Sequence, residues 1–272
     1  MKKIAKYILL LALLLGLPSV CFSQSVNPFL SKGRSNKDPF SGDKRTVLIV
    51  FDASGSMEET IKDDTKIHIA KRVLEDVLLR AAPNVNLGLR VYGSVKPTGT
   101  PEIDCTDSKL LIFPGVNNRR SIVGEINKIL PQGFTPITFS LSQAVRDLIP
   151  YGGEKSIILI SDGQETCGGD PCKLAEQIAI SNIDLKVDVV GFGIKDDYLA
   201  QEQLMCVALN TNGKYFLADS AEELTRSLSE SINKSVTGKI ITNIDKDVEV
   251  HTEETEGYEN LPMLTPEKLM LK

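Results

Sequence analysis

Imidazole and thiolate groups are too sparse in this chain of 272 residues to form the usual transition-metal centres. The two histidines, His68 and His251, stand far apart in the sequence, whereas zinc and copper enzymes usually need a cluster of imidazoles. The CxxC spacing of zinc ribbons does not occur either. These absences argue against a zinc or copper enzyme.

Motifs for nucleotide binding and for serine hydrolysis are absent as well. The chain has neither the GxxxxGK[ST] nor the GxGxxG phosphate-binding loop, and it lacks the GxSxG elbow of serine hydrolases. His68 falls within a helical pattern without an evident acidic partner, and its neighbours Lys66 and Lys71 predict an exposed position. Nucleotide-dependent and serine-hydrolase chemistry are therefore not expected.

Positive charge is in deficit, which argues against a nucleic-acid ligand. The chain has 31 basic and 36 acidic residues, and three of the basic ones are Lys2, Lys3 and Lys6. Without those three, 28 basic residues face 36 acidic ones, a net charge of −8. Such a surface repels phosphates and anionic lipids. With 42% hydrophobic and 25% charged residues, the composition is otherwise that of a globular protein.

Long apolar runs are absent except near the amino terminus, where residues 1–23 have the three-part pattern of a secretory signal peptide. The basic pair Lys2 and Lys3 precedes the apolar run Ile8–Leu17, which is too short to span a bilayer. We expect cleavage after Ser23, so that the mature chain begins at Gln24; an uncleaved anchor and a lipid anchor on Cys21 are the alternatives. The protein is therefore expected to be exported, to the periplasm, the cell surface or the extracellular medium.

Four cysteines remain beyond the predicted signal peptide, and an even number in an oxidising compartment predicts two disulfides. Proximity in sequence favours a bond between Cys167 and Cys172, which leaves Cys105 to pair with Cys206. Four buried free thiols are the alternative.

Apolar runs of strand length alternate with segments of helical period. The runs at 47–51, 156–160 and 187–192 are almost continuously apolar, as in the strands of a parallel sheet that helices cover on both faces. Between them, apolar residues recur with the period of a helix that packs on such a sheet. Val85–Val91 and Leu110–Phe113, separated by a long loop, predict a hairpin at one edge.

This order of elements predicts an α/β fold for residues 45–236, with one doubly wound, mostly parallel sheet of six strands and helices on both faces. Residues 24–44 are rich in small and polar side chains and predict a flexible linker. Residues 237–272 predict a polar, acidic tail or a small appendage.

Oxygen-bearing side chains occur where the predicted strands end. Asp52, Ser54 and Ser56 follow the first strand, with Gly55 between them to allow a tight turn. Thr135 precedes Pro136 and is predicted to cap the next helix, and Asp162 follows a central apolar strand. Ligands bind beyond the carboxyl ends of strands in doubly wound folds, so we expect these oxygens to converge. Carboxylates and hydroxyls favour Mg²⁺, and less specifically Mn²⁺ or Ca²⁺.

This pattern resembles the von Willebrand factor A domain family, in which a DxSxS motif after the first strand joins a distant Thr and a distant Asp in the metal-ion-dependent adhesion site. The resemblance covers about 45–236. The motif residues stand in order in DASGS (52–56), GFTPI (133–137) and SDG (161–163), and the run 162–172 is similar to bacterial exported members. An intact adhesion site is implied, with five metal-binding residues: Asp52, Ser54, Ser56, Thr135 and Asp162.

The resemblance implies a domain that binds a protein partner, one of whose acidic side chains completes the coordination of the bound cation. One alternative is a structural envelope protein whose metal site is not the interface. Another is a haloacid dehalogenase-like phosphotransferase, in which a second aspartate two residues after the first acts as general acid. Ser54 stands at that position and cannot supply the proton, so the chain is predicted not to be an enzyme.

Overall fold

A computed structural model describes residues 45–181 and 184–233. The predicted signal peptide (1–23), linker (24–44) and tail (237–272) lie outside the described residues. Within the described part of the chain, no helix has both the length and the hydropathy that a membrane span requires.

Six strands form the main sheet, and a two-stranded hairpin lies between the first strand and the first helix. The strands are β1 (Thr46–Asp52), β2 (Thr60–Ile61), β3 (Asp64–Thr65), β4 (Asn86–Tyr92), β5 (Ser108–Gly115), β6 (Lys155–Ser161), β7 (Leu185–Phe192) and β8 (Tyr215–Ala218). The order across the main sheet is β5-β4-β1-β6-β7-β8. All pairs in it are parallel except β4 with β5, which confirms the predicted mostly parallel six-stranded sheet and its edge hairpin.

Helices follow most of the strands. They are α1 (Lys66–Arg80), α2 (Pro101–Asp104), α3 (Arg119–Ile126), α4 (Ile137–Leu148), α5 (Pro171–Ile180), α6 (Tyr198–Asn210) and α7 (Ala221–Asn233). Side-chain caps set the starts of α1, α5 and α6: Thr65 accepts a hydrogen bond from the first turn of α1, and Asp170 and Asp197 do the same for α5 and α6.

The sheet is covered on both faces because alternate side chains of its central strand enter two separate cores. Val47, Ile49 and Phe51 pack with α1, α3 and α7, whereas Leu48 and Val50 pack with α4, α5 and α6. All five side chains are fully buried. The continuous apolar run of β1 therefore has the physical cause inferred from the sequence.

The polar members of the alternating strand β4 are buried as well. Arg90 is only 5% exposed, and its guanidinium donates to Asp147 on α4 over 2.8 Å. Asn86 is also buried, and its side-chain amide donates to Thr46 over 3.3 Å. β4 is an interior strand, because β5 pairs with it on its outer side. Its alternating pattern therefore separates buried apolar side chains from buried polar side chains that have hydrogen-bond partners.

Both disulfides exist, but the predicted pairing is wrong. Cys105 bonds to Cys167, and Cys172 bonds to Cys206, with Cα atoms 5.4 Å apart in each pair. The reason is that α5 begins at Pro171, so Cys172 lies in a helix that packs on α6, which carries Cys206. Cys167 lies in the preceding loop and meets the residue that ends α2. Packing of elements, rather than separation along the chain, decided the partners.

Candidate metal centre

The site expected from the sequence lies at the carboxyl edge of the sheet, where the chain changes direction across it. After β1 the chain builds β4 and β5 on one side, and it then crosses to β6 on the other side. Asp52 ends β1, and Asp162 follows Ser161, which ends β6 beside it. Ligands of doubly wound folds bind in the crevice at such a switch point.

A chain of hydrogen bonds joins the DxSxS loop to Asp162. The Ser54 backbone N–H donates to Asp52 Oδ1 over 2.7 Å. The Ser56 hydroxyl donates to Asp162 Oδ1 over 2.7 Å, and the Ser54 and Ser56 hydroxyl oxygens lie 3.1 Å apart. Three oxygen-bearing side chains predicted from separate segments are therefore in direct contact.

Asp52 is fully buried behind this chain of hydrogen bonds. Its Oδ2 atom accepts from the Tyr92 hydroxyl over 2.8 Å and from the Ser161 hydroxyl over 2.7 Å. Burial, and next the charge of Asp52, raise the pKa of Tyr92 well above its ordinary value, so this phenol keeps its proton. The sequence analysis did not identify Tyr92 or Ser161, although both end strands that flank β1 and so reach the same edge.

Thr135 lines the same cleft but does not cap a helix. The cleft has a volume of about 460 Å³, and Ser56, Thr135 and Asp162 are among the residues that line it. The residue that caps α4 is Pro136, whose side chain makes no capping hydrogen bond, so the predicted capping role of Thr135 is wrong. Instead, the Thr135 backbone N–H donates to the Thr166 hydroxyl over 2.8 Å, and its carbonyl accepts from the Thr166 N–H over 3.2 Å.

Two glycines hold the Thr135 segment against the DxSxS loop. The Gly133 carbonyl accepts from the Gly55 N–H over 3.0 Å, and the Gly133 N–H donates to the Gly93 carbonyl over 2.8 Å. Gly93 has a φ of +70°, and a Cβ atom there would lie 2.7 Å from the Ser54 backbone N. A Cβ atom on Gly133 would lie 2.9 Å from three backbone atoms of Gly93. Only glycine allows the segments to approach this closely.

Gly133→Ala is therefore expected to lower the free energy of unfolding by about 1–3 kcal/mol, because the new methyl group must displace backbone. Gly124→Ala is the matched control, since a Cβ atom in this turn of α3 meets nothing within 4 Å. It is expected to raise stability by about 0.5–1 kcal/mol. Urea unfolding of both variants measures the difference, and equal stabilities would contradict the close approach at Gly133.

A buried lysine occupies the cleft beside Asp162. The Lys66 ammonium donates to Asp162 Oδ2 over 2.9 Å and to Glu59 Oε2 over 2.7 Å, and the Lys66 side chain is 6% exposed. Burial lowers the pKa of Lys66, but the carboxylates of Asp162 and Glu59 outweigh it and raise that pKa above its ordinary value. The sequence analysis did not identify Lys66 as a buried residue of the site.

The electrostatics of Asp162 reflect two opposing influences. Burial, and next the nearby charge of Asp52, raise the pKa of Asp162 to about 6, although Lys66 and Ser56 act in the opposite direction. Two carboxylates thus stand in a water-poor site with one ammonium to balance them. Added positive charge would stabilise their ionised forms.

His68 has an acidic partner after all, but at the surface. Its Nδ1 atom lies 2.7 Å from Asp64 Oδ1, and the histidine side chain is 65% exposed, as predicted. No serine or cysteine of the described residues shares a hydrogen bond with this imidazole, so the pair does not form part of a catalytic triad.

The donor set fits a hard divalent cation. The side chains that meet at the edge offer carboxylate and hydroxyl oxygens, which such cations prefer. Among residues 45–181 and 184–233, no group of three or more His, Cys, Asp and Glu side chains forms a metal cluster. The candidate centre differs from such clusters because only two of its five candidate ligands are carboxylates, and the other three are hydroxyls.

The family model described as von Willebrand factor type A domain matches residues 46–231, which include the whole described sheet. The chain belongs to the von Willebrand factor type A (VWA) family. Among its relatives, the uncharacterized protein YwmC of Bacillus subtilis (strain 168) is 30% identical over 235 residues, which are 85% of this chain and 97% of YwmC. VWA domains generally serve adhesion and protein interaction, and most homologues are not enzymes.

Solved structures share the VWA fold at low sequence identity. An aerotolerance-related membrane protein from Bacteroides fragilis, with multiple mutations to serines, is 21% identical with a TM-score of 0.56, over 70% of this chain and 99% of that one. The pilus adhesin SpaC from Lactobacillus rhamnosus GG is 18% identical with a TM-score of 0.57, over 71% and 31%. Proximal thread matrix protein 1 from the mussel byssus, whose metal-ion-dependent adhesion site (MIDAS) motif is occupied by zinc, is 18% identical with a TM-score of 0.51. The match covers 70% of this chain and 45% of that one.

Proposed function

We propose that this VWA domain is exported and binds a protein partner through a divalent cation. Five residues would hold the cation: Asp52, Ser54, Ser56, Thr135 and Asp162. Mg²⁺ suits these oxygens best, and Mn²⁺ and Ca²⁺ are the other hard cations that they accept. A carboxylate from the partner would complete the coordination.

The observation that carries the proposal is the direct contact between the DxSxS loop and Asp162. The Ser54 and Ser56 hydroxyl oxygens lie 3.1 Å apart, and the Ser56 hydroxyl donates to Asp162 Oδ1 over 2.7 Å. Thr135 lines the same cleft. These residues come from three segments that share no local structure, so local turn chemistry does not explain their meeting. A MIDAS motif of a mussel VWA protein, occupied by zinc, supports a cation at this place.

The charges of the site explain why its partner would be acidic. A bound divalent cation supplies an electron-poor position that accepts an anionic oxygen. Asp52 and Asp162 carry the protein's carboxylate charges, while the serine and threonine hydroxyls are neutral and add none. The chain's own side chains therefore leave room for one further carboxylate, and the cleft beside Ser56 and Thr135 gives it access.

Export is supported by the cysteines and by the relatives. All four cysteines of the described residues form disulfides, which persist in oxidising compartments. The apolar run near the amino terminus has the form of a signal peptide. One structural neighbour is a pilus adhesin and another is a membrane protein. These observations support the proposal that the chain acts in the periplasm, at the cell surface or in the medium.

Affinity capture tests the proposal with the full chain as immobilised bait. Envelope and extracellular proteins are passed over wild type in Mg²⁺, wild type in chelator, and the double variant Ser54→Ala/Ser56→Ala in Mg²⁺. Ser181→Ala is the control, because among the described residues its hydroxyl donates to the Ile178 carbonyl at the end of α5 and not to any residue of the site. We expect wild type and Ser181→Ala to retain a specific partner in Mg²⁺. Wild type in chelator and the double variant in Mg²⁺ should not retain it.

Equal retention of the partner in chelator and on the double variant would contradict the proposal. The structural alternative would then apply, with an interface that is hydrophobic or built on the loop at 94–108. Titration calorimetry with Mg²⁺ alone distinguishes a domain that binds the cation without using it for adhesion from one that binds no cation.

A further inference from the structure

An ammonium group is built into the candidate metal centre. Lys66 is the only cationic residue among those that line the site's cleft within the described ranges. It contacts Asp162, one of the proposed cation ligands, and Glu59, which is not one of them. The Asp162 side chain is fully buried, whereas the Glu59 side chain is 66% exposed.

We propose that Lys66 is the resident counter-cation of Asp162 and sets the affinity of the centre for Mg²⁺ by competing with it, while Glu59 weakens this competition by sharing the ammonium. Lys66 is therefore a positioning residue rather than a ligand. The inference rests on the proposed function, because it assumes that Asp162 helps to hold a cation.

The competition has a simple electrostatic basis. Asp162 presents two oxygens: Oδ1 accepts from the Ser56 hydroxyl, and Oδ2 accepts from the Lys66 ammonium. A cation placed beside Ser56 would share this carboxylate with the ammonium, and two positive charges repel each other strongly in a site with little water. Removal of the ammonium should therefore strengthen cation binding, which a purely structural role for Lys66 does not predict.

The ammonium cannot easily leave the site. Lys66 is the first residue of α1, and its backbone N–H donates to the Glu59 carbonyl over 2.8 Å. Its stem packs closely on Gly193, where a Cβ atom would lie 3.0 Å from Lys66 Cε. The hairpin β2–β3 lies between Glu59 and Lys66 and keeps the two together. The backbone and the stem of Lys66 are thus fixed beside the site, where its ammonium contacts Asp162 and Glu59.

Glu59 and Lys66 should then have opposite effects. The Glu59 carboxylate takes a second N–H of the ammonium over 2.7 Å and offsets part of its charge. Without Glu59, the full charge of Lys66 would act on Asp162 and disfavour a second cation more strongly. Without Lys66, Asp162 would lose its counter-ion, so the cation-free protein should lose stability while the cation-bound protein should not.

Calorimetric titration of the full chain with Mg²⁺ at pH 8 tests the first effect. Lys66→Met is expected to lower the Kd for Mg²⁺ by about tenfold or more. Lys71→Met is the matched control, because it removes the same charge from α1 but its ammonium donates to the Ile129 carbonyl instead. Its Kd is expected to stay within about twofold of wild type.

Glu59→Gln keeps the inference testable if Lys66→Met fails to fold, since Glu59 is largely exposed. It is expected to raise the Kd for Mg²⁺ by about threefold or more. Glu58→Gln removes the same charge from the neighbouring exposed residue, which has no hydrogen bond to Lys66, and is expected to change the Kd by less than about twofold.

An unchanged or higher Kd in a folded Lys66→Met variant would overturn the inference while leaving the proposed cation site in place. Equal effects of Glu59→Gln and Glu58→Gln would also overturn it. If neither wild type nor Lys66→Met binds Mg²⁺, the proposed function fails together with the inference. Binding by Lys66→Met alone would support the inference but contradict the proposed function, because the wild type would then hold no Mg²⁺ to bridge to a partner.

Discussion

Asp52→Asn is expected to lower the affinity of the chain for Mg²⁺ by at least about 100-fold, because it removes one of the two carboxylate charges at the candidate centre. Titration calorimetry of wild type and variant measures the change. Capture of a Mg²⁺-dependent partner should be lost in parallel, since the cation is proposed to bridge the two proteins.

The Asp52→Asn variant should fold, which makes the loss informative. Its side-chain oxygen can still accept from the Ser54 N–H, as Asp52 Oδ1 does now. Its amide group would face the Tyr92 and Ser161 hydroxyls, whose oxygens can accept once their protons rotate away. Loss of charge can therefore occur without a loss of hydrogen bonds.

Asp147→Asn provides the matched control. Asp147 Oδ2 accepts a hydrogen bond from Nε of the buried Arg90 guanidinium and lies 2.7 Å from its Nη2, so replacement of Asp147 is expected to cost about 3 kcal/mol or more of stability. Its affinity for Mg²⁺ should nevertheless equal that of wild type. A folded Asp52→Asn variant with unchanged Mg²⁺ affinity would place the cation elsewhere.

Removal of the Cys105–Cys167 disulfide is expected to affect both stability and the metal centre. Because the bond closes a loop with a sequence separation of 62, the double variant Cys105→Ala/Cys167→Ala should lose about 4 kcal/mol of unfolding free energy. The Mg²⁺ affinity of the folded protein should also fall by about tenfold, as for other residues that orient metal ligands.

The second effect follows from the loop that the disulfide holds. Cys167 follows Thr166, which hydrogen-bonds to the backbone of Thr135 in both directions. The Cys167 N–H donates to Glu165, whose other carboxylate oxygen accepts from the Thr138 N–H at the start of α4. The bond to Cys105 therefore anchors the loop that follows Asp162 against the segment that carries Thr135.

The second disulfide separates the two effects. Cys172→Ala/Cys206→Ala opens a loop with a sequence separation of 34, so a similar loss of about 4 kcal/mol is expected. This bond joins α5 to α6 and does not involve the loop from Asp162 to Cys167, so the Mg²⁺ affinity should not change. Denaturant unfolding and calorimetry at a temperature where both variants are folded distinguish the outcomes. Equal Mg²⁺ affinities in the two double variants would contradict a specific role for Cys105–Cys167.

The fold of residues 45–233 could be predicted from the sequence because the spacing of apolar residues indicates which side chains are buried. The apolar run of β1 requires cover on both faces, and the structure provides it through two cores. Parallel strands share one carboxyl edge, so polar residues after β1 and β6 had to lie near each other. The contacts of Ser54 and Ser56 with each other and with Asp162 follow from this rule.

Tertiary structure decided the partners of individual groups. Lysine usually lies at the protein surface, yet Lys66 is buried because Asp162 and Glu59 balance its charge. Thr135 stands where a helix cap is expected, yet its backbone pairs with Thr166. In both cases the partner lies on another segment of the chain, and the local sequence contains no information about it.

The sequence by itself determined the alternation of strands and helices, the edge at which the oxygen-bearing side chains meet, and the identity of the DxSxS residues, because each depends on short-range periodicity or on strand direction. Only the tertiary structure decided that Cys105 meets Cys167, that Cys172 meets Cys206, and that an ammonium shares the site with Asp162. These features depend on which helix packs beside which loop, and packing is a property of the whole folded chain.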